Sequence, residues 1–213
     1  MTAMGRNEII NAFKLDPKVV FFIPTAVDTS VFKRRNIKKD IDLLYVGRFA
    51  IKKNLISVIK VIHKLKTDFP NINARFIGGT KDDADYSRIV DLIDNYGLQN
   101  NVILSPPMSQ FDLVNIYNRS KVFVLLSYEE GMPKVLLEAM ACCLPVIAAN
   151  NSGMIDLIIN EKNGFLVNPN NIDEIANKIS IILRGKFHLE KESNKIYSWK
   201  FVASRLLEVY NSL

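Results

Sequence analysis

The sequence lacks the features that would place it in a membrane or in a disulfide scaffold. No run of about 18 uncharged apolar residues occurs, because the longest candidate, residues 135–149, contains Glu138 and Pro145. The only cysteines, Cys142 and Cys143, are adjacent, which strains a disulfide between them and gives no metal-ligand spacing. The first residues lack the apolar core of a signal peptide. We therefore expect a cytoplasmic protein with free thiols.

Histidine and metal-ligand patterns are also scarce. The two histidines, His63 and His188, form neither a Cys/His cluster nor a local triad, so no general base can be identified. Asp83 and Asp85 have the Asp-x-Asp spacing that can hold a divalent metal, but they lie where a helix is predicted to begin and are more simply explained as helix caps. We expect neither a metal nor a cofactor.

What the sequence does contain is enough apolar material for a full core, and an excess of positive charge. The 213 residues are 48% hydrophobic and 23% charged, with a formal net charge of +6. The densest basic segment is residues 33–39. It is either a solvated linker or a surface that attracts anionic lipid headgroups, nucleotide phosphates or an acidic partner. Nucleic acid is not expected, because no aromatic residues are interleaved with these charges.

Strand-like and helix-like segments alternate along the chain. This alternation, with strands that are almost continuously apolar, predicts an α/β fold in which a doubly wound parallel sheet has helices on both faces. In such sheets ligands bind at the carboxyl ends of the strands. The predicted strands are 19–23, 42–46, 74–77, 102–104, 122–126, 145–148 and 165–167, and helical periodicity occurs at 55–65, 89–96, 113–117 and 199–213.

The loop after the strand at 42–46 carries two cations. Arg48 offers a planar donor fork and Lys53 a compact charge, and both suit a diphosphate. Cations at a helix N-terminus oppose the helix dipole, which indicates that an anion binds there; the alternative is a solvated helix start. After the strand at 74–77, Gly78 and Gly79 either let a ligand approach the backbone or form a plain tight turn.

Two carboxylates follow the strand at 122–126: Glu130 opens the loop, and Glu138 lies a little over two turns into the predicted helix after it. Between them Pro133 suits the first turn of a helix. The amides of Lys134 and Val135 would then point without partners towards a phosphate. The alternative is an ordinary helix start with Glu138 on a solvated face.

Taken in order, these segments resemble the C-terminal, donor-binding domain of family-4 (group 1) retaining glycosyltransferases, which have the GT-B fold. The central motif is Glu130-Gly-Met-Pro-Lys-Val-Leu-Leu-Glu138, and flanking motifs agree with it in order and spacing over about residues 20–211. The flanking motifs lie at 23–28, 46–48, 76–79, 144–148, 152–153, 163–167 and 197–199.

The resemblance implies a Rossmann-like domain that binds a nucleotide-diphosphate sugar, and it implies roles for single residues. Arg48 and Lys53 would hold the diphosphate, Glu130 the transferred sugar and Glu138 the ribose; Glu130, Arg48 and Lys53 would be the catalytic residues, and no metal would be needed. The remaining donor-binding positions that it implies are Gly47, Gly79, Met108, Gly131, Met132, Lys134 and Val135.

The resemblance also divides the chain and leaves alternatives open. Residues 1–40 would end an N-terminal half and form a linker, 41–190 would bind the donor, and 191–213 would form a helix crossing to an acceptor-binding half with no counterpart here. The chain would then be a fragment or one subunit of a split enzyme, acting in glycan, lipopolysaccharide or glycolipid synthesis, peripherally at an anionic membrane face. A non-catalytic nucleotide-sugar-binding regulatory subunit is the alternative, and a donor epimerase or hydrolase a third.

Overall fold

The computed structural model describes residues 3–190, 194 and 196–211. Its centre is a six-stranded parallel sheet in the order β3-β2-β1-β4-β5-β6. The strands are β1 (Ile41–Val46), β2 (Ala74–Ile77), β3 (Val102–Ser105), β4 (Ser120–Leu125), β5 (Val146–Ala149) and β6 (Gly164–Val167). The helices are α1 (Ala3–Phe13), α2 (Leu55–Leu65), α3 (Tyr86–Asn95), α4 (Gln110–Arg119), α5 (Lys134–Ala141), α6 (Ser152–Ile155), α7 (Ile172–Leu183) and α8 (Trp199–Asn211).

Helices cover both faces of the sheet, as the alternation predicted. Helix α2 packs against α3 and α7, whereas α4 packs against α5 and against strands β1 and β4. The right-handed connections of parallel strands place these two groups on opposite faces. Strands β1 and β5 are therefore buried on both sides, which explains why they are apolar at nearly every position. The predicted α/β, doubly wound fold is confirmed.

The strand order changes direction between β1 and β4, which are neighbours in the sheet although two strands intervene in sequence. The connections that leave these two strands run to opposite sides, so a crevice opens at their carboxyl ends. The loop after β1 carries the candidate cations Arg48 and Lys53, and the loop after β4 carries the candidate carboxylate Glu130.

The amino-terminal segment differs from the prediction in two respects. Residues 19–23 form no strand, because a strand requires a neighbour for its backbone hydrogen bonds and the sheet begins only at β1. Val19 is instead 63% exposed. Helix α1 was not predicted. Segment 14–40 nevertheless packs on the domain, since Val27 bridges Ser198 and Phe32 contacts Tyr117 edge-to-face.

Candidate functional site

The site begins with an ion pair across the crevice between β1 and β4. Lys53 ends a single turn of 3-10 helix (Ile51–Lys53) after β1, and Glu130 lies in the loop after β4. Lys53 Nζ is 2.5 Å from Glu130 Oε1, and the two side chains are only 20% and 12% exposed. The structure thus brings together two residues that are 77 positions apart in the chain.

The loop after β1 is held by the neighbouring loop and by Tyr45. The buried Tyr45 hydroxyl donates to the carbonyl oxygen of Arg48 at 2.8 Å. A Cβ at Gly47 would lie 2.8 Å from that hydroxyl, and a Cβ at Gly78 would lie 2.9 Å from the carbonyl oxygen of Gly47. Both glycines have positive φ, so they allow two loops to touch backbone to backbone.

Asp83 fastens the same two loops and is not a helix cap. Its Oδ2 accepts hydrogen bonds from the amides of Phe49 at 2.9 Å and Thr80 at 3.1 Å. These bonds, aided by the charge of Arg48, hold the pKa of Asp83 below its usual value. Asp85 occupies the N-cap position of α3 without a side-chain cap bond in the described structure. The capping prediction for this pair was therefore wrong, because the loops offer Asp83 better-placed donors.

Charged groups surround the buried Tyr45 ring. Burial raises the Tyr45 pKa, and the negative charges of Glu130 and Asp83 add to that shift. The charge of Arg48 acts on Asp83, its side chain is exposed, and it has no ion pair within the described residues. Its guanidinium is therefore available to an anion from outside.

The Glu130 loop packs against the loop after β5 with no side chain between them. A Cβ at Gly153 would meet the carbonyl oxygens of Glu130 and Gly131, so only glycine fits this contact. Asn151 adds a hydrogen bond of 2.6 Å from Nδ2 to the carbonyl oxygen of Ser127. A Cβ at Gly131 would meet nothing within 4 Å, so that glycine borders open space.

Helix α5 starts one residue later than predicted. Pro133 is its N-cap, with extended backbone at φ −71° and ψ 118°, and it gives no side-chain cap among the described residues. The amides of Lys134 and Val135 stand in the first turn, where an α-helix cannot supply them with acceptors. The positive end of α5 therefore faces the crevice beside Glu130.

Glu138 is buried, which excludes the alternative of an ordinary helix start with Glu138 on a solvated face. It is 4% exposed; Tyr117 donates to its Oε2 at 3.0 Å, and Lys134 Nζ stands 3.7 Å from its Oε1. Burial raises the pKa of Glu138, while the bond from Tyr117 and the Lys134 charge oppose that shift. Lys134, itself 45% exposed at the side chain, covers this carboxylate on the solvent side.

The missing side chain of Gly79 does not leave space for a ligand, as the sequence had suggested. A Cβ there would overlap the ring of Phe49 at 2.4–2.5 Å, so the missing side chain accommodates an aromatic residue. Beside it a cavity of about 240 Å³ opens at the carboxyl ends of β2 and β3, lined by residues that include Gly79, Tyr86 and Pro106. Met108 is half-buried against the core.

The Met132 side chain and the basic segment 33–39 do not face the crevice. The Met132 side chain points away from solvent, and its sulfur accepts a hydrogen bond from the Thr25 amide at 3.2 Å. The basic segment 33–39 leads into the amino end of β1, so it lies at the opposite edge of the sheet from Lys53 and Glu130. This segment therefore does not contribute to the crevice.

Sequence reasoning missed the residues that support the site. Tyr45, Tyr117 and Gly153 act through contacts with distant segments, and their types alone gave no signal. Asp83 was singled out, but as a helix cap. Gly153 stood inside the motif at 152–153, which is the one signal that could have drawn attention to it.

The chain belongs to the Glycosyl transferases group 1 family, which it matches over residues 27–199. This match confirms the resemblance deduced from the motifs.

Curated relatives agree with this membership, and a solved structure shows the same fold. The chain is 24% identical over 225 residues to D-inositol 3-phosphate glycosyltransferase of Acidothermus cellulolyticus, covering 96% of this chain and 50% of that protein. It is 29% identical over 177 residues to the capsular polysaccharide biosynthesis glycosyltransferase CapM of Staphylococcus aureus, covering 79% and 45%. Anabaena Alr3699/HepE in complex with UDP and glucose superimposes with a TM-score of 0.85 at 18% identity, covering 100% and 62%.

The chain spans about half the length of the curated relatives that it matches. Across the described residues, no helix has both the length and the apolar character needed to cross a bilayer.

Proposed function

We propose that this chain is the donor-binding domain of a retaining glycosyltransferase that moves a hexose-type sugar from a nucleotide-diphosphate sugar to a hydroxyl acceptor. The observation that carries the proposal is the convergence of Arg48, Lys53, Glu130 and the start of α5 at the switch point of the sheet. The UDP and glucose bound by the similar HepE structure support the class of ligand.

The diphosphate lies between the cations and the start of α5. Arg48 and Lys53 neutralise the charge that grows on the diphosphate as the sugar departs, so they act mainly in the transition state. The free amides of Lys134 and Val135 add donors of the kind that phosphate prefers. With two cations and a helix start in place, transfer proceeds without a metal ion, and added chelator leaves it unchanged.

The two ends of the donor lie on either side of the diphosphate. Glu130 and the backbone of Gly131 and Met132 hold the sugar, and Glu138 accepts from the ribose hydroxyls once the exposed Lys134 ammonium moves aside. The cavity beside Gly79 takes the base. The acceptor is oriented by a second, facing half, and transfer takes place at the cytoplasmic face of an anionic membrane, where the basic segment 33–39 makes peripheral contact.

Titration calorimetry with UDP-, GDP- and ADP-sugars, the free diphosphates and the nucleosides tests the proposal. Lys53→Ala and Arg48→Ala are each expected to weaken diphosphate binding by roughly tenfold or more while leaving nucleoside binding unchanged, because only the diphosphate meets these cations. Lys52→Ala is the matched control, since Lys52 is an exposed neighbour whose side chain forms no ion pair in the described structure.

The outcomes separate the alternatives. Equal losses for diphosphate and nucleoside remove the assigned roles, and absence of heat with every sugar nucleotide removes the proposal. Binding without transfer, even after the facing half is supplied, favours the regulatory subunit. Release of free sugar without an acceptor favours a donor hydrolase.

A further inference from the structure

We infer that Glu130 competes with the ligand for Lys53 and so makes the site prefer the intact donor over the nucleoside diphosphate that remains after transfer. The inference rests on the proposed function, and it adds a specificity role for one carboxylate. It starts from the ion pair in the crevice, where Lys53 Nζ lies 2.5 Å from Glu130 Oε1.

The ion pair between Lys53 and Glu130 is shielded from solvent. Both side chains are at least four-fifths buried, so solvent screens their attraction less than it screens an exposed pair. Lys53 has no other ion-pair partner among the described residues. A diphosphate that binds Lys53 must therefore displace Glu130 from it or share it.

The consequence differs between donor and product. When the intact donor binds, its sugar hydroxyls can donate to Glu130 and replace the bond that Lys53 gave up. A free nucleoside diphosphate has no sugar, so Glu130 is left without a donor in a sheltered position beside a phosphate. Glu130 therefore favours release of the product.

Arg48 does not share this behaviour, which makes the inference specific to one cation. Its side chain is exposed, and Asp83 nearby is already engaged by the amides of Phe49 and Thr80. Arg48 can therefore bind the diphosphate of donor and product alike.

The test is calorimetric titration of the wild-type chain and of Glu130→Gln with UDP and UDP-glucose, GDP and GDP-mannose, and ADP and ADP-glucose. Glutamine keeps the shape and removes the charge. It is expected to tighten binding of the free diphosphate by roughly fivefold and to leave binding of the sugar nucleotide unchanged or weaker. The ratio of the two affinities is the decisive quantity, since a loss of fold would weaken both ligands together.

Two controls isolate the competition. Glu129→Gln removes the neighbouring charge from the same loop, where Glu129 is exposed and forms no ion pair in the described structure, and it is expected to leave both affinities unchanged. In a Lys53→Met background the gain from Glu130→Gln is expected to shrink, because there is no cation left to compete for.

Glu130→Asp, with a shorter reach to Lys53, serves as a second variant and is expected to shift the ratio in the same direction.

The results that overturn the inference differ from those that overturn the proposed function. A wild-type chain that binds no nucleotide of either kind contradicts both. If the wild type binds both ligands, and the Glu130 variants bind the diphosphate no more tightly, only the inference is wrong. An equal gain in the Lys53→Met background also contradicts it, because the effect would then be general repulsion.

Discussion

At the scale of single residues, the site contains a carboxylate that costs stability. Glu138 is almost completely buried, and burial raises its pKa more than Tyr117 and Lys134 lower it. An acid whose pKa is raised by folding stabilises the fold below its ordinary pKa, and this contribution is lost as the pH rises through the folded value. At neutral pH the charged Glu138 therefore opposes folding, which is consistent with a residue retained for a ligand.

Glu138→Gln is thus expected to raise the free energy of unfolding at about pH 7.5 by on the order of 1 kcal/mol, and to have little effect at about pH 4. Urea unfolding at the two pH values measures this difference. Glu129→Gln, at an exposed position in the preceding loop, should show no such pH-dependent gain. A less stable Glu138→Gln protein at pH 7.5 would mean that the bond from Tyr117 outweighs the burial cost.

The residue types that carry chemistry were predictable, and their partners were not. Arg48, Lys53 and Glu130 follow strands β1 and β4, so strand prediction and the rule for parallel sheets were enough to place them together. The bond between Tyr117 and Glu138 joins α4 to α5, and its existence depends on how two helices are rotated against each other. The interpretation of Gly79 failed because it also depended on a distant partner: the Phe49 ring fills the space beside this glycine.

At the scale of elements, the loops at the carboxyl edge are held by backbone contacts that depend on glycine. Helix α6 starts beside the Glu130 loop, and Gly153 in it lies against the carbonyl oxygens of Glu130 and Gly131. Alanine would otherwise be favoured over glycine within a helix. At this position the steric term dominates, because a Cβ would stand 2.4 Å from the carbonyl oxygen of Glu130.

Gly153→Ala is therefore expected to destabilise the protein by about 1–3 kcal/mol and to displace Glu130 from Lys53. Thermal unfolding gives the first effect, and nucleotide titration gives the second as weaker sugar-nucleotide binding. Gly131→Ala is the matched control for stability, since a Cβ there meets nothing within 4 Å. Equal stability of the two variants would show that the loop after β5 adjusts without cost.

Elements were predictable where the period of apolar residues was clear. The positions 55, 58, 59, 62 and 65 predicted helix α2, and all of them are buried in it. Strand prediction failed at 19–23 because β-branched composition indicates a strand only when a neighbouring strand is present to pair with it. Helix α1 has a weak apolar pattern and an exposed surface, so periodicity gave no indication of it.

At the scale of the whole molecule, one apolar surface is left open by the described residues. Helix α8 has a single buried residue, Val202. Four large side chains that share one face at helical spacing are exposed: Trp199 by 62%, Leu206 by 39%, Leu207 by 62% and Tyr210 by 71%. Contiguous apolar surface of this kind usually marks an interaction site.

The isolated chain is therefore expected to self-associate through α8 as its concentration rises, because pairing of two such surfaces removes apolar area from water. Leu207→Glu combined with Tyr210→Glu should shift sedimentation velocity profiles towards the monomer while leaving nucleotide affinity unchanged, since α8 contributes none of the proposed donor contacts. Ser204→Glu places the same charge at an exposed polar position of α8 and is expected to leave association intact. If Ser204→Glu disrupts association as strongly, net charge and not the apolar surface controls it; a wild-type chain that stays monomeric at every concentration contradicts the prediction outright.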